Sequence, residues 1–150
     1  MITVRNASLA DSYDMLEWRN DEVTRRMFRS SERVATNEHR NWLASTLDND
    51  DICLLVCISD SSSRVAVVRF DIQENEAELS INLAPSQRGK GIAKMCLSAA
   101  IDFFSESHPH IAKLVAEIKV ANMPSRRTFE GLGFVLQIET KEYLHFTKSL

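Results

Sequence analysis

The stretch PSQRGKGIA at residues 85–93 lies between a run that alternates like a β-strand and a run with the spacing of an amphipathic helix. Its glycines, Gly89 and Gly91, allow a sharp turn and a close approach of the backbone to a ligand. The first N–H groups of the following helix have no intrahelical partner, and they lie at the positive end of the helix dipole. Such a terminus favours a phosphate or pyrophosphate, and Arg88 and Lys90 add positive charge beside it.

This loop differs from the two commonest phosphate-binding sequences. A Walker loop requires GxxxxGK followed by Ser or Thr, and a dinucleotide fingerprint requires GxGxxG, whereas only Gly89 and Gly91 are present here. The alternative interpretation is structural. The tetrapeptide RGKG between a strand and a helix can also be a sharp turn whose basic side chains are simply solvated. The loop alone therefore leaves both interpretations open.

The elements on either side predict a strand–helix–strand unit. Residues 78–83 (ELSINL) and 113–120 (KLVAEIKV) have the composition of strands, and residues 91–105 have helical spacing between them. A connection through a helix makes the two strands parallel, with a right-handed crossover. The buried stripe of the helix is predicted to consist of Ile92, Met95, Cys96, Ala99, Ala100 and Phe103.

Three further helices are predicted before this unit. Ser8 and Asp11 have the spacing of a helix start, and that helix ends near residue 20. A short helix follows over residues 21–27. Thr36 is placed to cap the third helix, and the residues predicted to share its apolar face are His39, Trp42, Leu43 and Leu47.

The remaining strands complete a mixed sheet. Residues 2–5 form one strand, and residues 52–58, 64–70 and 78–83 form three antiparallel strands joined by polar turns. After the crossover, Asn122 caps a last short helix. That helix ends around residues 131–133, and a final hairpin comprises residues 134–138 and 142–146.

The composition is that of one ordinary domain. The 150 residues are 44% hydrophobic and 26% charged, with a net charge of −3. A chain of this length buries enough surface for a full core without disulfide or metal staples. We therefore expect a single domain over residues 1–150. The acidic balance argues against a general nucleic-acid-binding surface, because such surfaces rely on clustered Lys and Arg.

Several features predict a cytoplasmic protein without membrane contact. The N-terminal segment lacks the basic and apolar regions of a signal peptide, and no window approaches the roughly 20 apolar residues of a membrane span. Cys53, Cys57 and Cys96 have no CxxC spacing, and their odd number suits buried free thiols in a reducing compartment. The histidines show no metal-ligand spacing, so no metal is expected.

Two motifs together resemble those of the GNAT acetyltransferase superfamily. RGKGIA is similar to the acyl-CoA-binding pattern RxxGxG/A, and the matching residues are Arg88, Gly91 and Ala93. The NxxS…GF pattern of the same superfamily is reproduced about thirty residues later by Asn122, Ser125, Gly133 and Phe134. The resemblance also covers the order of elements over essentially the whole chain.

The resemblance implies an α+β fold: a single GNAT-like domain with a mixed six- to seven-stranded sheet and a β-α-β acyl-CoA-binding core flanked by helices. It implies acetyl-CoA as co-substrate, with the pantetheine arm between two strands that diverge and the pyrophosphate on the glycine loop. The cofactor-binding residues it implies are Ile81, Leu83, Arg88, Gly89, Lys90, Gly91, Ile92, Ala93, Asn122, Ser125 and Phe129. Asn122 and Ser125 also have a purely structural alternative, as a helix cap and its local partner.

Acetyl transfer to an amine requires a base, because an ammonium group has no lone pair with which to attack a thioester. In the related enzymes a glutamate on the strand before the Asn motif often serves, and Glu117 occupies that position. An apolar setting beside Val115, Ile118 and Val120 would disfavour its charged form and make it a stronger base. An exposed or ion-paired strand glutamate is the alternative, and the reserve candidates are Asp71 and Glu78.

The departing thiolate requires a proton. Many relatives carry a tyrosine seven residues after the asparagine, and here that position is Phe129, which cannot donate one. Ser125 is therefore predicted as a catalytic residue, with Tyr143, His145 or solvent as alternatives. A non-catalytic acyl-CoA-binding module is the rival function that this phenylalanine leaves open.

The acceptor is predicted to be a small-molecule amine. LEWRND at residues 16–21, followed by Glu38-His39 and Trp42-Leu43, is similar to a superfamily branch that acetylates amino groups of nucleotide-linked sugars and to one that acetylates N-terminal α-amines of ribosomal proteins. The spacing is closer to the sugar branch, so the resemblance favours the 4-amino group of a nucleotide-linked deoxy sugar, with an N-terminal α-amine as the alternative. The substrate-binding residues predicted on that basis are Arg19, Asn20, His39 and Trp42. The arginines that suit a diphosphate also include Arg25, Arg26 and Arg29. A homodimer remains open.

Overall fold

Seven strands form one mixed sheet in the computed structural model, which describes residues 1–28 and 30–150. The strands are β1 (Thr3–Asn6), β2 (Ile52–Ile58), β3 (Arg64–Gln73), β4 (Glu76–Leu83), β5 (Lys113–Lys119), β6 (Val135–Glu139) and β7 (Tyr143–Ser149). Their order is β1-β2-β3-β4-β5-β7-β6, and β4 and β5 are the one parallel pair among them. The α+β class and the mixed sheet predicted from the sequence are confirmed.

The described residues form five α-helices, which are α1 (Ser12–Asn20), α2 (Glu22–Met27), α3 (Thr36–Leu47), α4 (Ile92–Ser107) and α5 (Met123–Gly131). Ser8 and Asp11 form a capping box before α1, as the sequence predicts. Thr36 is not a cap: the N-cap position belongs to Ala35, and Thr36 is the first helical residue. In the part of the chain that the structure describes, no helix is long and apolar enough to cross a membrane.

Strands β4 and β5 diverge soon after they begin. Their pairing runs from Glu76 opposite Lys113 to Glu78 opposite Val115 and ends there. Beyond this point β4 continues to pair with β3 up to Leu83, and β5 continues to pair with β7. The facing edges of the two strands are therefore separated over the rest of their length, as the resemblance implies.

One face of the sheet is covered by α4. Its buried side chains are Cys96, Leu97, Ala100, Ile101 and Phe104, whereas Met95 is 46% exposed. The predicted stripe is confirmed at Cys96 and Ala100 and wrong at Met95, and the buried face also includes Leu97, Ile101 and Phe104. Apolar side chains occur around most of this helix, so spacing alone does not select the face that packs on Leu55, Phe70 and Leu114 of the sheet.

The other face is covered only over β2 and β3. Trp18 and Leu43, from α1 and α3, pack there on Val56 and Val67 in a second, smaller cluster. Of the apolar face predicted for α3, His39 and Leu43 are buried, but Trp42 and Leu47 are 38% and 37% exposed. Alternation along the strands brings the polar side chains of β4, β5 and β7 to the uncovered part of this surface, which we call the open face. The residues of the open face are Glu78, Ser80, Glu117, Lys119 and His145.

The cysteines are free thiols, as the sequence predicts. Cys57 and Cys96 are fully buried between β2 and α4, and Cys53 is half-buried. Burial raises the pKa of Cys53 to about 11. Cys53 is therefore not poised to react, because it is the thiolate that attacks and burial disfavours it.

Candidate functional site

The glycine loop joins the end of β4 to the start of α4. Gly89 and Gly91 have φ values of +74° and +73°, a region that favours glycine. A Cβ on either residue would meet no atom within 4 Å, so backbone conformation rather than packing requires glycine here. Gly91 is the N-cap residue of α4, and no side chain of the described residues caps that terminus. The first amide groups of α4 are therefore available to an anion.

We expected the Arg88 side chain to be mobile, but it is held against α2. Its Nη2 donates hydrogen bonds to Asp21 Oδ2 and to Thr24 Oγ1, the latter at 2.8 Å. Burial opposes ionisation of Asp21, but the hydrogen bonds from Arg88 and from the Thr24 amide outweigh it and hold the pKa of Asp21 below its usual value. The cofactor loop and the second helix are thus in direct contact.

The second motif lies beyond the end of β5. The side-chain oxygen of Asn122 accepts a hydrogen bond of 3.3 Å from the backbone N–H of Ser125 and so caps α5. Because β4 and β5 are parallel, α4 and α5 begin at the same edge of the sheet, on either side of the gap between the strands. Crevices of this kind, outside the carboxyl ends of parallel strands, are where α/β sheets bind ligands.

These features fit a coenzyme A molecule. The edge of β4 from Leu79 to Leu83 has no strand paired with it on the β5 side, within the described residues, and so offers backbone groups to an extended arm. Ile81 and Leu83 lie on this stretch. The glycine loop with its uncapped helix suits the pyrophosphate, and the exposed Lys90 adds a positive charge.

Phe129 is part of the hydrophobic core. It is 2% exposed, and its ring packs edge-on against Phe134 with centroids 5.0 Å apart. Its side chain therefore has no open surface toward the gap, and the cofactor contact predicted for it requires a rearrangement of the core. Ser125 is partly exposed at the start of α5.

Glu117 and His145 lie side by side on the open face. They are directly opposite in the β5–β7 ladder, and His145 Nδ1 is 3.5 Å from Glu117 Oε2. The Glu117 side chain is 17% exposed. The predicted setting is wrong in one respect: Ile118 points to the opposite face, into the core, so the carboxylate has a histidine beside it where an apolar side chain was expected.

A cavity of about 270 Å³ opens where β4 and β5 still pair, and its nearest residue on β5 is Val115, two positions before Glu117. Its charged lining is acidic and comprises Asp71, Glu76 and Glu78. Val115 of β5 also lines it. Asp71 is neutralised by Arg69, which donates to both of its oxygens at 2.8 and 2.9 Å. The two reserve candidates for the base, Asp71 and Glu78, thus lie on the same surface as Glu117.

Arg19 and Asn20 hold the segment between α2 and α3. Both groups of the Asn20 amide bond the backbone of Val34, at 2.9 and 2.7 Å. Arg19 donates to the carbonyl of Ser30 at 3.0 Å and stacks on the ring of Phe28. Burial and the nearby charge of Arg25 lower the pKa of Arg19. The Asn20 amide is thus used by the fold itself, whereas Arg19 Nη1 is buried without a hydrogen-bond partner among the described residues.

His39 and Trp42 differ in exposure: His39 is buried and Trp42 is partly exposed. His39 is 4% exposed, with Nδ1 3.3 Å from Ser12 Oγ, and burial followed by the charge of Arg19 lowers its pKa. Trp42 presents its ring to solvent above Arg69, 5.8 Å from ring centroid to Cζ.

Of the further arginines, Arg25 donates to the carbonyl of Ser31 and Arg26 pairs with Glu22; Arg29 lies outside the described residues.

Two residues of the site were missed by sequence reasoning. Asp21 was assigned to the second helix, although an aspartate three residues before Thr24 is a recognisable N-cap signal. Lys119 at the end of β5 donates from Nζ to the carbonyl of Arg26, at 2.9 Å, and no sequence signal reveals this contact. Among the described residues, no group of three or more His, Cys, Asp or Glu could hold a metal ion.

The sequence matches a family of enzymes over most of its length. The profile of the "Acetyltransferase (GNAT) domain" matches residues 2–135. The chain is 27% identical over 131 residues to the SPbeta prophage-derived uncharacterized N-acetyltransferase YokL of Bacillus subtilis. That alignment covers 86% of this chain and 73% of the relative.

The fold is shared with solved structures at low sequence identity. A spermidine N-acetyltransferase from Vibrio cholerae, in complex with CoA and spermine, has a TM-score of 0.87 at 18% identity, covering 99% of this chain and 95% of that one. A domain from Methanocaldococcus jannaschii has a TM-score of 0.85 at 19% identity, covering 100% and 99%. The aminoglycoside acetyltransferase AAC(6')-Ib, in complex with coenzyme A, has a TM-score of 0.85 at 16% identity, covering 99% and 95%.

Proposed function

The chain belongs to the acetyltransferase (GNAT) domain family, and on that premise we propose that it acetylates the primary amine of a small molecule bound on the open face. It is an acetyl-CoA-dependent N-acetyltransferase. The observation that carries the proposal is the position of Glu117. Its carboxylate lies on the open face, on the strand that diverges from β4, beside the gap that suits the thioester-bearing arm.

Acetyl-CoA supplies the activated acetyl group, and the chain holds it by its backbone. Under the proposal, Ile81 and Leu83 bond the pantetheine arm, and the amides of residues 89–93 bind the pyrophosphate. Arg88 and Lys90 supply charge beside it. Asn122 and Ser125 lie on the other side of the gap, where α5 begins.

Glu117 is the proposed general base. The amine arrives as an ammonium group, and the carboxylate accepts a proton from it, directly or through one water. The freed nitrogen attacks the thioester carbonyl, the N–C bond forms, and the C–S bond breaks with its electron pair on sulfur. The nitrogen gives up its second proton to solvent as the amide forms. The thiolate then takes up one proton, for which Ser125 and solvent are the proposed sources, since Phe129 has no proton to give and is buried.

Charge on the open face supports an acceptor that is cationic in water. Glu76, Glu78 and Glu117 lie along the cavity or beside it, and Asp71 is held by Arg69. A charged amine gains from this surface, whereas the phosphates of a nucleotide are repelled by it. Structures with this fold that contain spermine or kanamycin beside CoA hold cationic amines of this kind.

The 4-amino group of a nucleotide-linked deoxy sugar is the acceptor that the sequence favours, and it is the second candidate. Trp42 supports it, because its half-exposed indole can stack on a base or a sugar ring. Arg19 and Arg25 support it less than expected, since both bond the backbone of residues 30–31. An N-terminal α-amine of a peptide is the third acceptor to compare.

A thiol-release assay with a panel of amines tests the proposal. The panel contains polyamines, aminoglycosides, aminated nucleotide sugars and N-terminal peptides, all at the same acetyl-CoA concentration. We expect the highest kcat/KM for a small cationic amine and a lower value when salt is raised. A preference for nucleotide sugars would favour the second candidate. Binding of CoA without thiol release from any amine would favour the non-catalytic binding module.

Two further expectations from the sequence stay predictions. A cytoplasmic location is supported by the three free thiols, and localisation of a tagged chain tests it. A homodimer is tested by size-exclusion chromatography with light scattering, with and without acetyl-CoA.

A further inference from the structure

Helix α2 is fixed at both ends by residues that follow the two diverging strands. At its start, Arg88, which comes after β4, donates to Asp21 and Thr24. At its end, Lys119, the last residue of β5, donates to the carbonyl of Arg26 at 2.9 Å. The position of α2 therefore depends on side chains from both sides of the gap that suits the cofactor.

These contacts matter because α2 is too short to be stable alone. A helix of six residues gains little from its own hydrogen bonds. Asp21 caps it by accepting from the Thr24 amide at 3.0 Å, and Lys119 places a positive charge at its C-terminal end. The order of α2 is therefore sensitive to whatever strengthens or weakens these few bonds.

Arg88 can serve the helix and an anion together. Its guanidinium donates only through Nη2 among the residues that the structure describes, so the N–H groups of Nε and Nη1, on two different sides of the group, are not used. The Arg88 side chain is 37% exposed and Asp21 is 25% exposed. A planar guanidinium has donors on more than one edge, so it can bridge a phosphate and a carboxylate that would otherwise repel each other.

A second cavity, distinct from the one lined by Glu76 and Glu78, lies next to this contact. This cavity of about 440 Å³ has Asn20 and Asp21 on one side and Pro85 and Ser86, at the start of the cofactor loop, on the other. A shift of α2 relative to the loop changes the shape of this cavity. Binding at the loop can in this way alter the space beside α2.

We propose that Asp21 is a positioning residue that couples cofactor binding to the order of α2 through Arg88. A pyrophosphate on residues 89–93 fixes Arg88, Arg88 fixes Asp21, and α2 becomes better ordered beside this second cavity. Coupling of this kind is reciprocal, so an acceptor that contacts α2 also strengthens cofactor binding. The inference rests on the proposed function for the identity of the anion.

Hydrogen exchange read by mass spectrometry tests the inference, with CoA as the probe. The variant is Asp21→Ser, because serine still caps a helix but is too short and neutral to hold Arg88. The control is Glu22→Gln, which breaks the exposed ion pair with Arg26 in the same turn. Peptides that cover residues 22–27 report on α2, and peptides that cover residues 89–95 report on the loop.

In the parent protein and in the control, we expect CoA to slow exchange in both segments, by about fivefold or more in α2. In Asp21→Ser the loop should still be slowed and α2 should not. Slowing of the loop alone in the parent protein would overturn the inference and leave the cofactor site intact. Retained slowing of α2 in Asp21→Ser would also overturn it, since Asp21 would then be a cap only. Absence of slowing in the loop would contradict the proposed function itself.

Discussion

Glu117 and His145 face each other across the β5–β7 ladder, with Oε2 of the carboxylate 3.5 Å from Nδ1 of the imidazole. Both side chains are partly exposed on the open face, at 17% and 31%. Imidazole is the side chain that exchanges protons most readily near neutral pH. Under the proposed function, the pair therefore combines Glu117 as proton acceptor, beside the gap between β4 and β5, with a group that can pass the proton on to solvent.

Replacement of the base should reduce turnover. We expect Glu117→Gln to lower kcat by about 100-fold or more, because general-base catalysis contributes that much and an amide cannot accept the proton. The loss should be greatest at low pH, where more of the amine is protonated and less can react without help. Steady-state kinetics over a pH series measure it. The matched control is Glu139→Gln, an exposed carboxylate on β6, and the prediction fails if the two variants have equal rates.

Removal of the His145 imidazole should lower kcat only through its effect on the Glu117 carboxylate. We expect His145→Gln to lower kcat with little effect on the affinity for acetyl-CoA, because the side chain lies on the far side of β5 from the gap. The double variant with Glu117→Gln should be no slower than Glu117→Gln alone, since groups that act as a unit are not additive. A double-mutant cycle on kcat measures this, and additive losses would show that the two residues act separately.

The glycine loop should not tolerate a side chain at Gly91. We expect Gly91→Ala to weaken acetyl-CoA binding by about tenfold, because a φ of +73° costs an L-residue on the order of 1–3 kcal/mol. In the parent protein, ligand at about 100 times its dissociation constant adds roughly 2.7 kcal/mol to the free energy of unfolding. Calorimetric titration and a thermal shift with acetyl-CoA measure the loss.

Gly131→Ala is the matched control for that experiment. Gly131 is the last residue of α5, and a Cβ there would meet only the flexible end of Lys94, at 3.3 Å. We expect its affinity for acetyl-CoA to equal that of the parent protein. Equal weakening by both substitutions would mean that the conformation of Gly91 is not what the cofactor requires.

The sequence predicted the elements that depend on local patterns. Alternation and turn residues located β2, β3 and β4, and Asn122 was recognised as a cap because its effect is confined to the next few residues. The face of α4 was not predictable, because the helix is apolar on several sides and the sheet decides which side is buried.

The contacts that define the site connect distant parts of the chain. Arg88 and Asp21 are 67 positions apart, and Lys119 and Arg26 are 93 apart. Each residue alone reads as a solvated charge, and only the docking of α2 over the diverging strands brings them together. The same holds for Glu117, whose histidine neighbour follows from the order in which β5, β7 and β6 pair.

The free energy of unfolding at neutral pH should depend on one buried carboxylate, which lies near β1 and β3 and away from the gap between β4 and β5. Asp11 is fully buried and bonds Arg5 from β1, at 2.7 and 2.9 Å, and Arg64 from β3, at 2.6 Å. Burial opposes ionisation of Asp11, but these bonds and one from the Ser8 amide outweigh it and hold the pKa of Asp11 well below its usual range. A carboxyl group with a depressed pKa in the folded state stabilises the fold above its unfolded-state pKa.

We therefore expect Asp11→Asn to lower the free energy of unfolding at pH 7 by about 2–3 kcal/mol, the usual value for hydrogen bonds to a charged group. The difference from the parent protein should shrink as the pH falls below about 4, where the unfolded chain takes up the proton and the stabilising contribution is lost. Urea unfolding at pH 7 and at pH 3 measures both values. Asp60→Asn is the control, since that carboxylate pairs with the N-terminal ammonium group at an exposed site and should contribute little. A penalty for Asp11→Asn that is as large at pH 3 as at pH 7 would contradict the assignment of a charged, buried Asp11.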